Sequence, residues 1–312
     1  MASSVERTTR RPVILCTGIA VLDEVFRVER FPSADMKAMA SEFAIVGGGC
    51  AANAAVPIAR LGVTAGFAGP LGGPAGQEPT GDRILAGLIA EGVDCGGCVR
   101  VAGAASGLSA IMVDAVGRRT IVSYGDEQLA LVRPANAVGL AAAADALLAD
   151  NRFPEFSLPI CRAARARGIP VVVDADMPTD VADPMFAVAS HIIFSAECLR
   201  AVGATDDLAA GLARVSRHTA SFLSVTEGAN GVYWREGGVT RHMPAFVVDT
   251  VDTLAAGDVF HGGFTVALVE RRGIEDAMRF AAAAAAIKCS RFGGSTTAPT
   301  RADVEAFLRA RA

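Results

Sequence analysis

Apolar residues in this chain fall into short β-like runs that alternate with segments of helical period. The first run, VILCTGIAVL at 13–22, ends at Asp23, and shorter alternating stretches follow at 25–28 and 38–46. The glycine cluster 47–49 then leads into a helical pattern over 51–61, closed by Gly62 as a C-cap. A strand at 64–68 precedes a Gly- and Pro-rich loop at 69–81, and 82–91 reads as a helix stopped by Gly92. Residues 107–126 form two alternating strands around 114–117, a hairpin pattern.

The second half repeats strand and helix. Strands are predicted at 146–148, 171–173, 191–194 and 222–226, with a helix at 159–167. A hairpin at 231–242 follows, then two Ala-rich helices from Gly257 and Ile274 and a last helix at 301–309. Alternating strands and helices imply an α/β fold with a mostly parallel sheet covered on both faces. The antiparallel pieces at about 24–46 and 99–125 do not fit that sheet and predict a small separate β-structure, a lid. Open α/β sheets bind ligands at the carboxyl ends of their strands. Asp23, Asp150, Asp174, Glu197 and Thr226 all fall at such ends in this reading, which predicts a polar cleft.

Composition narrows the class. The chain has 312 residues, 52% hydrophobic and 20% charged, enough for a large core. A net charge of -4 argues against nucleic-acid or anionic-membrane partners. The polar N-terminus MASSVERTTRRP has no apolar core of a leader, and no stretch offers about 18 uncharged apolar residues. Seven scattered cysteines read as reduced thiols, with Cys95-Gly-Gly-Cys98 a loop coincidence. A soluble cytoplasmic protein is expected. Of 29 basic residues only Lys37 and Lys288 are lysines.

The stretch DTLAAGDVFHGGF, 252–264, strips away side chains around one aspartate. Ala255, Ala256 and Gly257 would leave bare amides at a helix N-terminus, where the dipole favours anionic oxygen. Asp258 in the first turn would point at whatever lies beside that anion. A carboxylate there can take the proton of an alcohol as it attacks phosphorus. The alternative is a helix start with a capping aspartate and no chemistry. His261, one turn on, reads as a packed or substrate-edge histidine. The chain carries no GxxxxGK[ST], HExxH or GxSxG motif.

Together with GGGCAANAAVPIARLG at 47–62, about 200 residues earlier, this stretch resembles the two signature motifs of the PfkB (ribokinase-like) carbohydrate kinases. The resemblance covers nearly the whole chain and implies one kinase domain over 11–308, with a Rossmann-like core and a β-sheet lid. It implies that Asp258 is the catalytic base and that Ala255, Ala256 and Gly257 form the anion hole. Asp23, Gly48, Gly49 and Asn53 match residues on the sugar. Thr226, Gly228 and Gly231 match the turn along the ATP phosphates. Glu197 matches the Mg2+-organising glutamate, reached through water, although the asparagine three residues before it is Phe194 here. Asp252 matches a residue near a monovalent-cation (K+) site, and lid-to-lid packing implies a homodimer.

VLDEVFRVERFP, GDVFHGGF and KCSRFGG look closest to the ketohexokinase and sulfofructose kinase branch, which phosphorylates ketoses. Lys37, Arg152 and Ser123 match positions that hold an anionic tail, a task suited to a guanidinium fork and a lysine. Asp150 sits beside them in this reading. Neutral fructose, ribose or a nucleoside remain alternative acceptors, and a silent sugar- and ATP-binding regulator is the alternative of another class.

Overall fold

A computed structural model describes residues 10–311; the polar N-terminal residues 1–9 discussed above lie outside them. In chain order the strands are β1 Val13–Thr17, β2 Val21–Arg27, β3 Glu42–Gly48, β4 Thr64–Ala68, β5 Pro70–Gly73, β6 Val99–Ala102 and β7 Gly107–Val113. Then come β8 Arg119–Tyr124, β9 Ala146–Asp150, β10 Val171–Ala175, β11 His191–Ser195, β12 Phe222–Thr226, β13 Val232–Glu236 and β14 Val239–Met243. The helices are α1 Cys50–Arg60, α2 Pro79–Ala90, α3 Ala137–Ala143, α4 Pro154–Ala166 and α5 Pro184–Val188. α6 Ala196–Gly203, α7 Leu208–Val215, α8 Ala256–Val269, α9 Ile274–Cys289 and α10 Arg301–Arg309 complete the set.

Eight strands form one sheet in the order β14-β13-β12-β11-β10-β9-β1-β4. The six from β4 to β12 run parallel, and β13 and β14 are antiparallel. Alternate residues on each strand feed two apolar layers. Ile14, Cys16, Leu148, Val172 and Ile193 pack under one set of helices, and Leu15, Leu147, Val173, Ile192 and Phe194 under the other. Near-continuous apolar strands are what a sheet buried on both faces requires.

A second sheet, β3-β2-β7-β8, stands apart from the first. β2 pairs antiparallel with β3 and parallel with β7, so its strands come from two distant parts of the chain. Its boundaries differ from the expectation at both ends. Residues 13–22 are not one strand: Gly18, at φ +147°, breaks the run, and Val21–Leu22 already belong to the small sheet. Val99–Ala102 does not join it but pairs with Pro70–Gly73. α4 begins at Pro154 rather than 159, because Pro154 takes the first helical position, where its missing N–H costs nothing.

α8 is wedged between α1 and α9. A Cβ on Gly262 would lie 2.8 Å from the Ala54 carbonyl oxygen of α1, and one on Gly263 3.2 Å from Cα of Ala281 in α9. The two glycines therefore set how closely three helix backbones approach. That approach brings the first turn of α1 against the first turn of α8.

Candidate active site

The chain enters α8 through Ala255, which holds a left-handed conformation (φ 61°, ψ 13°) as the residue before the helix. An alanine there stores roughly 1 kcal/mol of strain, a cost that tends to persist at functional turns. In that turn the Ala256 amide donates to the Thr253 carbonyl at 3.2 Å, while those of Ala255 and Gly257 have no protein acceptor among the described residues. A Cβ on Gly257 would meet no atom within 4 Å, so packing does not require glycine; the space above it opens on a cavity. Asp258 lies in that first turn. Its Oδ2 accepts a 2.9 Å hydrogen bond from Asn53 Nδ2 of α1, and Asn53 Oδ1 accepts one of 2.8 Å from Ser295 Oγ. Burial, and then the neighbouring Asp174 carboxylate, push Asp258 up to about 8.

Asp174 of β10 faces α8 from the large sheet. Its Oδ2 lies 2.9 Å from His261 Nδ1, an ion-pair approach off the hydrogen-bond line, and its buried Oδ1 has no partner. Burial, the largest single effect, pulls the His261 imidazole down, but the carboxylates of Asp174, Asp258 and Asp176 together outweigh it, so the net shift is upward. Cys50 Sγ and carboxylate oxygens of Asp174 and Asp258 lie within 4.8 Å of one another. Two carboxylates this close favour keeping one of them protonated unless a ligand or cation compensates.

The opposite wall is the small sheet. Asp23, buried in β2 beside Ser109 of β7, rises to about 6 through burial, partly offset by the Ser109 hydroxyl. It is not at the end of the first strand, as read from sequence, but inside the small sheet. Ser109 and Ser123 share a 3.0 Å hydrogen bond. A Cβ on Gly48 would stand 2.3 Å from the Asp23 carboxylate, so glycine is what lets that carboxylate occupy its place. Gly49 turns the chain into α1 at φ +90°, where a Cβ would strike the Ile19 carbonyl.

These walls enclose a cavity of about 630 Å³, lined by Asp23, Gly49, Asn53, Ser123, Arg152, Thr226, Ala255, Ala256, Gly257 and Asp258. Such a volume suits a small polar ligand with room beside it. Seven expected residues stand outside this lining: Gly48, Gly228 and Gly231, which shape backbone turns beside it, and Lys37, Asp150, Glu197 and Asp252. Asp150 is fully buried and does not reach the cavity. Its oxygens accept from Ile19 N (2.8 Å), Ala51 N (3.1 Å) and Arg152 N (2.9 Å), so it ties three segments together instead of holding substrate. Lys37 is exposed in the loop between β2 and β3, outside the lining. Glu197 is exposed in the first turn of α6, next to the lining residue Ser195. Asp252 lies beneath the α8 turn, with its carboxylate against Lys288. Arg152 lines the cavity but is ion-paired with Asp176. Phe194, at the position of the missing asparagine, is fully buried against Phe186 and offers no polar group.

Gly228 (φ +51°) and Gly231 (φ +96°) shape the turn after β12. A Cβ on Gly231 would lie 2.1 Å from the Met243 carbonyl. The pairing of Asp174 with His261, the lining residues Asp176 and Arg119, and the thiol of Cys50 were not singled out from the sequence, since each depends on contacts between distant segments.

A model of the pfkB family of carbohydrate kinases matches residues 12–301. The ribokinase of Haemophilus influenzae is 28% identical over 306 residues, covering 96% of this chain and 99% of its own. The fructokinase of Klebsiella pneumoniae is 31% identical over 263 residues, covering 73% of this chain and 78% of its own. The crystal structure of a candidate ribokinase from Agrobacterium tumefaciens superposes with a TM-score of 0.92 at 35% identity, over 97% of this chain and 99% of that one. A helix N-terminus with a bare turn and a carboxylate, facing a polar wall across a sugar-sized cavity, is thus found in a chain that belongs to the pfkB family, the ATP-dependent kinases of carbohydrate hydroxyls.

Proposed function

We propose that the chain phosphorylates a hydroxyl of a ketose, held between the small sheet and the first turn of α8. Asp23, Gly48, Gly49 and Asn53 hold the sugar, and its reacting hydroxyl faces Asp258. Asp258 takes the hydroxyl proton as that oxygen bonds to the γ-phosphorus of ATP, and the bond from phosphorus to the β,γ-bridging oxygen breaks to release ADP. The amides of 255–257 stabilise the charge on the transferring group. Thr226, Gly228 and Gly231 line the phosphate chain. The carrying observation is the Asp258 carboxylate fixed by Asn53 at the open start of α8.

Hard oxygen donors suit Mg2+ held through water. The exposed Glu197 carboxylate and the unpartnered Asp174 Oδ1 fit such an ion. When bound with ATP it neutralises phosphate charge. The small sheet acts as a lid within a single domain over 11–308. Its outer face, with Phe43 and Val122 exposed, pairs with that of a second copy in a homodimer. The protein works in the cytoplasm.

An anionic tail on the ketose is supported by the guanidiniums of Arg119 and Arg152 in the lining. A neutral sugar is the second reading, favoured by the ion pair that already occupies Arg152. The deciding experiment is ADP release from MgATP with fructose, fructose 6-phosphate, 6-deoxy-6-sulfofructose, tagatose 6-phosphate, ribose and adenosine. Turnover confined to the anionic ketoses, and lost in Arg152→Ala, supports the first reading. Turnover with neutral fructose alone supports the second, and turnover with ribose or adenosine alone removes the ketose assignment. Silence throughout with ATP still bound removes the catalytic reading.

A further inference from the structure

One of the chain's two lysines is wholly buried. Lys288, on the last turn of α9, has no exposed surface, and its Nζ donates to Asp252 Oδ2 at 2.7 Å and to the Asp252 carbonyl oxygen at 2.8 Å. Asp252 is itself 1% exposed. Its Oδ1 accepts from Leu254 N at 2.8 Å, and its Oδ2 also faces Gly293 N at 3.2 Å and Gly294 N at 3.3 Å. The amides of Val251 and Asp252 both donate to the Cys289 carbonyl at the end of α9, at 2.8 and 3.1 Å.

The segment 251–254 is therefore clamped on both sides, by an ammonium and by the end of a helix. Three residues beyond Asp252 the chain makes its left-handed turn at Ala255, which leaves the amides of Ala255 and Gly257 open and that of Ala256 on the Thr253 carbonyl at 3.2 Å. From the lid side, Arg119 approaches the Thr253 carbonyl at 3.4 Å. An ammonium has the charge and nearly the size of an alkali ion, and it sits here among one carboxylate and one carbonyl oxygen. Arginine, which the chain prefers almost everywhere else, is planar and too large for that place. The resemblance drawn from sequence put a K+ ion near Asp252. The donors do not fit that ion, because the oxygens it would use already hold Nζ.

We propose that Lys288 is the site's own monovalent cation, a positioning residue whose tethered ammonium fixes the turn carrying the anion hole and makes activity independent of added K+. The inference rests on the reading of that turn as the anion hole. It is tested by melting and by turnover in equal concentrations of potassium chloride, ammonium chloride and tetramethylammonium chloride. Wild-type protein is expected to show the same Tm and, within about twofold, the same kcat in all three. Lys288→Ala leaves a hole of ammonium size. It is expected to lose about 100-fold in kcat with nucleotide Kd little changed. K+ or NH4+, but not tetramethylammonium, should then raise its Tm by about 2 °C or more and restore at least about tenfold in kcat.

Activation of the wild type by K+, or a K+-dependent rise in its Tm, overturns the proposal and needs no variant to fold. So does a Lys288→Ala protein with normal kcat in tetramethylammonium, or one that no small cation rescues. Failure of the catalytic reading looks different: Asp258→Asn would keep its turnover while the melting results stood.

Discussion

Asn53 Nδ2 donates to Asp258 Oδ2 at 2.9 Å, joining the first turns of two helices that lie 205 residues apart in sequence. The bond stabilises the ionised carboxylate, while burial and Asp174 favour the protonated one, and burial is the larger effect. A base must be ionised to act. The kcat/KM of the enzyme is therefore expected to rise with pH up to about 8. Asp258→Asn should remove that limb and lower kcat by about 1000-fold or more. The stability effect has the opposite sign. A raised carboxyl contributes stability that is complete below its ordinary value near 3.8 and lost as pH rises through about 8. Asp258→Asn should then melt above the wild type at alkaline pH, with the gap closing toward pH 4, as calorimetry across pH will show.

His261 and Asp174 make a buried pair in which the imidazole is raised above its ordinary 6.5. Such a pair stabilises most where the histidine is charged, below 6.5, and its contribution fades as pH climbs through the raised value. His261→Gln is expected to cost about 3 kcal/mol in acid and visibly less at high pH, measured by urea unfolding at several pH values. A pH-independent cost would show that the ring only fills space.

Gly262 has no room for a methyl group: its Cβ would come within 2.8 Å of the Ala54 carbonyl. Gly262→Ala should push α1 from α8, cost about 1–3 kcal/mol, and lower kcat by pulling Asn53 off Asp258. A stability loss without a kcat loss would mean that the helices shift without parting the two side chains.

Asp150 and Lys37 were both expected on the sugar. Asp150→Ala leaves three amides, one of them fully buried, without an acceptor and should cost about 3 kcal/mol, read from denaturant midpoints. Lys37→Ala should change stability by less than about 0.5 kcal/mol, because its side chain lies in water. Its KM for any sugar should also stay put unless the lid loop carries it inward, which an unchanged KM would exclude.

Local features were legible. The bare turn 255–257, the aspartate after it and the glycines 47–49 announce themselves within a dozen residues each, because backbone conformation and small side chains are local properties. The parallel sheet was legible too, from apolar runs at regular spacing. Asp23 was assigned to the wrong sheet because nothing in VILCTGIAVL distinguishes Gly18 as a break from a glycine inside a strand. Asp150 shows a harder limit. A strand-end aspartate that binds ligand and one that binds three backbone amides have the same sequence signature, and only the fold tells them apart. The Lys288–Asp252 and His261–Asp174 pairs join distant segments, so charge pattern along the chain does not reveal them.

The small sheet is tied to the rest of the molecule by four separate chain crossings, at 18–20, at 49, at 103–106 and at 125–126, and each contains a glycine. Four tethers side by side act like the pins of a door. They allow the sheet to swing about the line that joins them and resist twisting or sliding across it. Closure over a ligand is in that case a single-angle motion, and stiffening any one of the four pins should slow opening and closing alike.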